Sequence, residues 1–391
     1  MEGGDRLTDE FDSIRPYRDD EVRAVLTRLV REPELLAAVA HFRMPRLARF
    51  APRLVRALLT RALVARTRNI GSVYDFQRFL ESYFLKMVRD TTAGYTFDGV
   101  QTLRRGTGYV FVSNHRDIAM DSGFMNYALW LTGIETSRIA IGDNLLKRQY
   151  LTDMMRLNKS FVIRRNLVGV KEMAQSYQLT SRYLQHCIAE GVPVWIAQRE
   201  GRAKDGIDRT EPAIIKMFHV SQRKSGRSFG EVIGALNIVP VAVSYEIDPC
   251  AGMKARELCI TAREGAYAKP EAEDIDSIVH GITGFKGRVH LQFGSVLGSH
   301  FADADSVAAE IDRQIIANYR LWPTHVWAAQ QCGVQVPAAL VAAMPPANDA
   351  ALAHLQRSVA LAPAEHRPFL LAQYANPVRA RLTLAACPTP A

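Results

Sequence analysis

The chain has 391 residues, 48% of them hydrophobic, enough for a large core and, by length alone, for two or three domains. Its 49 Lys and Arg outnumber 40 Asp and Glu, a balance of +9 that suits anionic partners such as phosphate esters, acidic lipids, acidic carrier proteins or nucleic acid. The cysteines Cys187, Cys250, Cys259, Cys332 and Cys387 are odd in number and form no Cys-x-x-Cys, which argues against a disulfide framework or a zinc site and for a reducing cytoplasm.

The first residues, MEGGDRLTDEFDSIRPYRDDE, are polar and acidic and read as no signal peptide. Nowhere do about 18 apolar residues run free of charge, so no membrane span is expected. Glu21 to Val39 carries helical spacing through Val22, Val25, Leu29, Leu35 and Leu36. Residues 41–70 hold eight arginines and no Asp or Glu. Arg43, Arg46, Arg49, Arg53 and Arg56 recur every three or four positions, with Leu47, Phe50, Leu54 and Leu58 on a neighbouring face. Such a helix suits a lipid interface with its arginines on acidic head groups, or a packed helix with a solvated Arg face; Pro45 and Pro52 are expected to break or kink it. The stretch shows no known nucleic-acid motif, which disfavours nucleic acid. Residues 71–92 read as helix and close a helical, Arg-rich region, 1–92.

From residue 93 the pattern alternates. Strands are expected at Tyr109–Val112, Arg138–Ile141, Ser160–Ile163, Pro193–Ala197, Ile238–Ser244, Glu257–Ala262 and Val289–Phe293, and helices between them. The clearest helix runs from Val170 to Glu190 and stops at Gly191. Strands separated by helices predict an α/β domain over 93–300, a largely parallel sheet flanked by helices, with helical N- and C-terminal extensions. Ligands of such sheets bind beyond the carboxyl ends of the strands. The region 301–391 is expected to be helical from Ala302 to Cys332, then Ala- and Pro-rich with one helix from Asn348 to Leu361 and some disorder at the end.

Four stretches sit at or just past strand ends. The first is Asn114-His115 with Asp117 and Asp121 following. The second is Phe161-Val162-Ile163-Arg164-Arg165-Asn166. The third runs from Trp195 through Gln198-Arg199-Glu200-Gly201-Arg202-Ala203-Lys204 to Gly206. The fourth is Ile238-Val239-Pro240-Val241 through Tyr245-Glu246. A neutral His115 suits proton abstraction from a hydroxyl, with a nearby carboxylate fixing its tautomer. Asp117 or Asp121 also fits a plain helix cap. Arg164, Arg165, Arg202 and Lys204 suit a phosphate or another polyanion, or else surface ion pairs with partners such as Glu200 and Glu246. Gly201 and Gly206 would let backbone amides approach an anion.

In this order and spacing the four stretches resemble the glycerolipid acyltransferase superfamily, which includes glycerol-3-phosphate and lysophosphatidate acyltransferases. The family motifs are N-H-x-x-x-x-D, an arginine after an aromatic-apolar strand, E-G-x-R-S, and a V-P-V-like strand. The likeness spans about residues 105–250, and Phe161–Arg165 with Pro240 to Glu246 look closer to the glycerol-3-phosphate branch. It implies that His115 deprotonates the acceptor hydroxyl, which attacks an acyl thioester directly. Asp121 would orient His115; Asn114, Arg164, Arg165, Glu200, Gly201, Arg202 and Lys204 would hold the acceptor and its phosphate; Pro240 would shape the pocket. It implies no metal, no cofactor and no covalent acyl-enzyme, with acyl-carrier protein or acyl-CoA as donor co-substrate and an anionic membrane surface, on its cytoplasmic face, as the peripheral site of action.

Two positions depart from the pattern. Five residues, not four, separate His115 from Asp121. On a helix one extra residue turns a side chain by about 100°, so either a local bulge absorbs it or Asp117 is the partner. The third motif reads Glu200-Gly201-Arg202-Ala203-Lys204, with Ala203 at the family's Arg position and Lys204 at its Ser position. These departures leave open a different lipid acceptor, or a catalytically silent membrane-surface protein of the same fold. A protein kinase is excluded because Ser122 stands where its catalytic loop needs Asn, and a serine hydrolase because no G-x-S-x-G occurs.

Overall fold

The computed structural model describes residues 10–165, 167–270 and 272–386. Among them lie seven strands: β1 (Gly94–Asp98), β2 (Val110–Ser113), β3 (Arg138–Gly142), β4 (Ser160–Ile163), β5 (Val194–Ala197), β6 (Ile238–Tyr245) and β7 (Arg288–Phe293). The pairing is mostly parallel and helices fill the connections, as in an α/β fold. The chain forms two compact units, one built from the residues up to Leu85 with Arg138–Ser176, the other from Lys86–Ser137 with Tyr177 onward.

The second unit holds β1, β7, β6, β2 and β5, side by side in that order. β2 lies parallel to both β5 and β6, with Ser113 level with Ala197 and Val241. β7 runs antiparallel to β6 and parallel to β1. Every residue of β2 and β6 is buried, the signature of a sheet covered on both faces. Because β2, β5 and β6 point the same way in register, the chain beyond Ser113, Ala197 and Tyr245 leaves from one rim. That rim gathers the first, third and fourth sequence stretches.

In the first unit β3 and β4 form a parallel pair with Ile139 opposite Ser160. A separate core joins Val22, Val25, Leu26 and Leu29 of the Asp19–Leu29 helix to Ile70, Val73, Phe76 and Leu157. Beside it Asp153 is buried and accepts from Arg28 and from the Tyr17 hydroxyl, which holds its carboxyl below the usual carboxylate range against the upward push of burial. In the Arg-rich stretch Pro45 and Pro52 break the run into separate helices, as expected. Each opens one, Pro45–Phe50 and Pro52–Thr67, where a missing N–H costs nothing.

Three expectations are corrected. Glu257–Ala262 is not a strand: it lies inside the Ala251–Glu264 helix, whose buried residues Ala251, Lys254, Ala255 and Cys259 follow helical spacing. The short run Leu258-Cys259-Ile260 carries no period of its own, and Gly265 at φ +80 supplies the left-handed stop. β1 was missed because its residues alternate only between exposed and half-buried, as on a sheet edge. The tail holds more than one helix: Ala338–Ala342 and Arg367–Ala386 join Asp349–Leu361. Arg367–Ala386 passes through Pro377 and buries Leu370, Tyr374 and Val378, so packing overrides the breaker. The capping by Asn348 is present: its side chain accepts from Ala351 N–H. Cys387 and the expected disorder at 387–391 lie outside the described residues.

Candidate active site

The turn after β2 is held by its side chains. Asn114 is fully buried. Its amide donates to Val243 O at 3.0 Å and accepts from Val243 N–H at 2.7 Å, extending the β2–β6 ladder by one side chain. His115 therefore leaves the sheet in a fixed direction. Its carbonyl accepts from Ala203 N–H at 2.7 Å, which ties the third stretch to it. The next carbonyl, of Arg116, accepts from the buried Lys254 ammonium at 2.7 Å. Lys254 also pairs with Asp248. The Arg116 side chain turns inward and meets Asp208 at 2.6 Å and Gly206 O at 3.2 Å. Asp208 also accepts from Asn114 at 3.3 Å. Burial pushes the Asp208 carboxyl up, and the Arg116 guanidinium pulls it back.

Asp121 lies in the first turn of the Met120–Leu131 helix and is fully buried. Its Oδ2 is 2.9 Å from His115 Nδ1 and accepts from the backbone N–H of Arg116 at 2.6 Å and of Asp117 at 2.9 Å. Its Oδ1 accepts from the Tyr245 hydroxyl at 2.8 Å. A carboxylate with this set of donors is an acceptor on both oxygens, so Nδ1 carries the imidazole proton and Nε2 is left to accept one. The His115 side chain is 14% exposed, and the edge of its ring meets Trp195 with centroids 5.8 Å apart.

Asp117 does something else. Its Oδ1 accepts from Ala119 and Met120 N–H, so it closes the turn and caps the helix. Burial, then the Asp121 charge, push its carboxyl up. The extra residue in the first motif is absorbed here. His115 stands before the helix, not on it, so the added residue lengthens the turn and does not rotate the imidazole away from Asp121.

The remaining residues of the sequence reading divide. Arg202 is 8% exposed; one guanidinium nitrogen donates to Ser277 at 3.2 Å, and Nη1 has no hydrogen-bond partner. Glu200 and Gly201 are exposed at the tip of the loop, with Gly201 at φ +72. Lys204 pairs with Glu257 of the Ala251–Glu264 helix. Gly206 is needed for packing: at φ +80, a Cβ there would stand 2.2 Å from Gln373 O. Pro240 is buried within β6 opposite Val112. Glu246 binds Arg288 through both oxygens and is structural. Arg164 and Arg165 belong to the other unit, past β4. Arg164 is exposed and its carbonyl accepts from Ser176; Arg165 N–H donates to Asp143. Asn166 lies outside the described residues. Among the described residues no group of three or more His, Cys, Asp or Glu side chains is arranged to hold a metal ion. Arg116, Asp208, Asp248 and Lys254 were missed: none falls at a position that a spacing rule marks.

A histidine backed by a buried aspartate, at the carboxyl rim of parallel strands, is an arrangement suited to general-base chemistry. Residues 94–244 match the family model described as Acyltransferase. Among solved structures the chain is similar to the 1-acyl-sn-glycerophosphate (LPA) acyltransferase PlsC from Thermotoga maritima, at 12% identity and a TM-score of 0.36, over 76% of this chain and 94% of that one. No curated protein matches. The match to the Acyltransferase family model thus falls on the part of the chain that holds β1 to β6 and the His115–Asp121 pair.

Proposed function

We propose that the chain moves a fatty acyl group from an acyl thioester, on acyl-carrier protein or coenzyme A, to a hydroxyl of glycerol-3-phosphate or its monoacyl form. The observation that carries this reading is the His115–Asp121 pair, with Nδ1 bound at 2.9 Å and Nε2 left as acceptor. Nε2 takes the hydroxyl proton as the oxygen attacks the thioester carbonyl carbon. The tetrahedral adduct collapses, the C–S bond breaks, and the imidazolium returns its proton to the leaving thiolate. Asp121 stabilises the imidazolium in between. The unpartnered Nη1 of Arg202 fits an acceptor phosphate. The Arg-rich helices fit an anionic membrane as the place of work.

A second acceptor class is favoured by one observation. Ala203 stands where the family has its arginine and is buried with its N–H on His115 O, while Lys204 is engaged by Glu257. A lipid alcohol or amine without a phosphate suits that loop. The test offers labelled acyl-carrier protein and acyl-CoA with a panel of phosphorylated and neutral acceptors and identifies the product by mass. His115→Ala should lower turnover by about 10²- to 10⁴-fold in a protein that stays folded. Near-normal turnover by that variant would remove His115 from the chemistry, and no product from any acceptor would leave a binding protein.

A further inference from the structure

We infer that Tyr245 is a positioning residue of the acyl transfer, its hydroxyl fixing the Asp121 carboxylate so that Oδ2 stays on the imidazole. The inference rests on His115 as the general base. Three N–H groups, from His115, Arg116 and Asp117, all converge on Oδ2. Donors on one oxygen hold that oxygen but leave the carboxylate plane free to swing about it. The Tyr245 hydroxyl is the donor on the other oxygen, at 2.8 Å. It comes from the end of β6, so it couples the fourth stretch of the sequence to the first.

The ring itself has a separate job. It packs edge-on against Phe124, centroids 6.1 Å apart, on the helix that carries Asp121. Phenylalanine would serve that contact equally, so the hydroxyl must be explained by what it binds. Burial, then Asp121, hold the phenol well above its usual range, so it remains a donor wherever the enzyme works. A donor on Oδ1 also draws negative charge away from Oδ2. The imidazolium then faces a weaker acceptor and gives its proton back more readily to the leaving thiolate. Removing the hydroxyl should therefore do two things: loosen the imidazole and raise the pH at which it becomes a neutral base.

The experiment compares Tyr245→Phe with His115→Ala and the parent enzyme, measuring kcat, KM and the pH profile of kcat/KM. Tyr245→Phe should lower kcat about tenfold, leave KM unchanged because Tyr245 is buried with its hydroxyl on Asp121, and move the acid limb to higher pH. Site-directed 3-fluorotyrosine at position 245 keeps the ring and strengthens the donor, so its limb should move the other way, to lower pH. Should Tyr245→Phe fold too poorly to assay, this second substitution decides alone. A Tyr245→Phe enzyme with unchanged kcat and an unmoved limb overturns the inference, as does a loss confined to thermal stability. If His115→Ala keeps full activity the base assignment itself fails, whereas loss in His115→Ala beside a normal Tyr245→Phe overturns only the role of the tyrosine.

Discussion

Arg116 shows how a residue outside any motif comes to matter. The lengthened turn carries it into the interior, where it meets Asp208 at 2.6 Å with both side chains over 90% buried. Two desolvated charges are tolerable only together, and removing one strands the other. Arg116→Met should cost about 3–5 kcal/mol, read as a lower midpoint in denaturant. Replacing both partners, Arg116→Met with Asp208→Leu, should cost less than the single change because no charge is left behind. A single variant within about 1 kcal/mol of the parent would show that the pair does not anchor the turn. In the sequence Arg116 stands between His115 and Asp117 at no motif position, and Asp208 follows Gly206 without a motif. What gives them their role is a contact across 92 positions, and local spacing carries no trace of that.

Gly206 and the Arg367–Ala386 helix argue the same way at the scale of elements. The loop after β5 is pinned at its far end by this tail helix: Asn376 donates to Asp205 O at 2.7 Å, and the Gln373 backbone lies against Gly206. Gly201 and Gly206 both have positive φ, but a Cβ at Gly201 meets nothing within 4 Å. Gly201→Ala should therefore cost only the left-handed backbone penalty, about 1–2 kcal/mol. Gly206→Ala adds a collision with backbone that cannot move aside, and should cost clearly more, about 3 kcal/mol or above. Thermal melts of the two variants make the comparison; equal losses would mean the tail helix yields. The sequence showed two glycines near charged residues and suggested an anion cradle for both. It could not distinguish them, because the partner that decides lies in an Ala- and Pro-rich tail whose helix runs through Pro377. By contrast β2, β5 and β6 were legible, since strands buried on both faces read as unbroken apolar runs.

For the whole molecule the excess of 49 basic over 40 acidic side chains has a concentrated source. In the first unit Arg46, Arg49, Arg53, Arg56 and Arg61 are exposed along Pro45–Phe50 and Pro52–Thr67. Val55 is buried, while Leu47, Phe50, Leu54 and Leu58 stay in contact with solvent, Phe50 at 83% exposure. Exposed apolar side chains interleaved with arginines suit the boundary between head groups and acyl chains, where both are satisfied at once. Among the described residues no helix is long and apolar enough to cross a membrane, so the attachment we propose is to one surface. Each arginine near an anionic surface contributes about 1 kcal/mol. Changing Arg46, Arg49, Arg53 and Arg56 to Gln should then weaken binding to phosphatidylserine-containing vesicles by about 4 kcal/mol, roughly a thousandfold. Raising salt should weaken the parent in the same direction, since exposed charges are screened within about 10 Å at 0.1 M. Phe50→Ala should weaken binding at every salt concentration, because its contribution is apolar area and not charge. Turnover of a soluble short-chain acceptor should survive the four arginine changes, which separates attachment from chemistry. Co-sedimentation that is the same for the quadruple variant and the parent would mean that these helices face solvent and that the positive charge serves another partner.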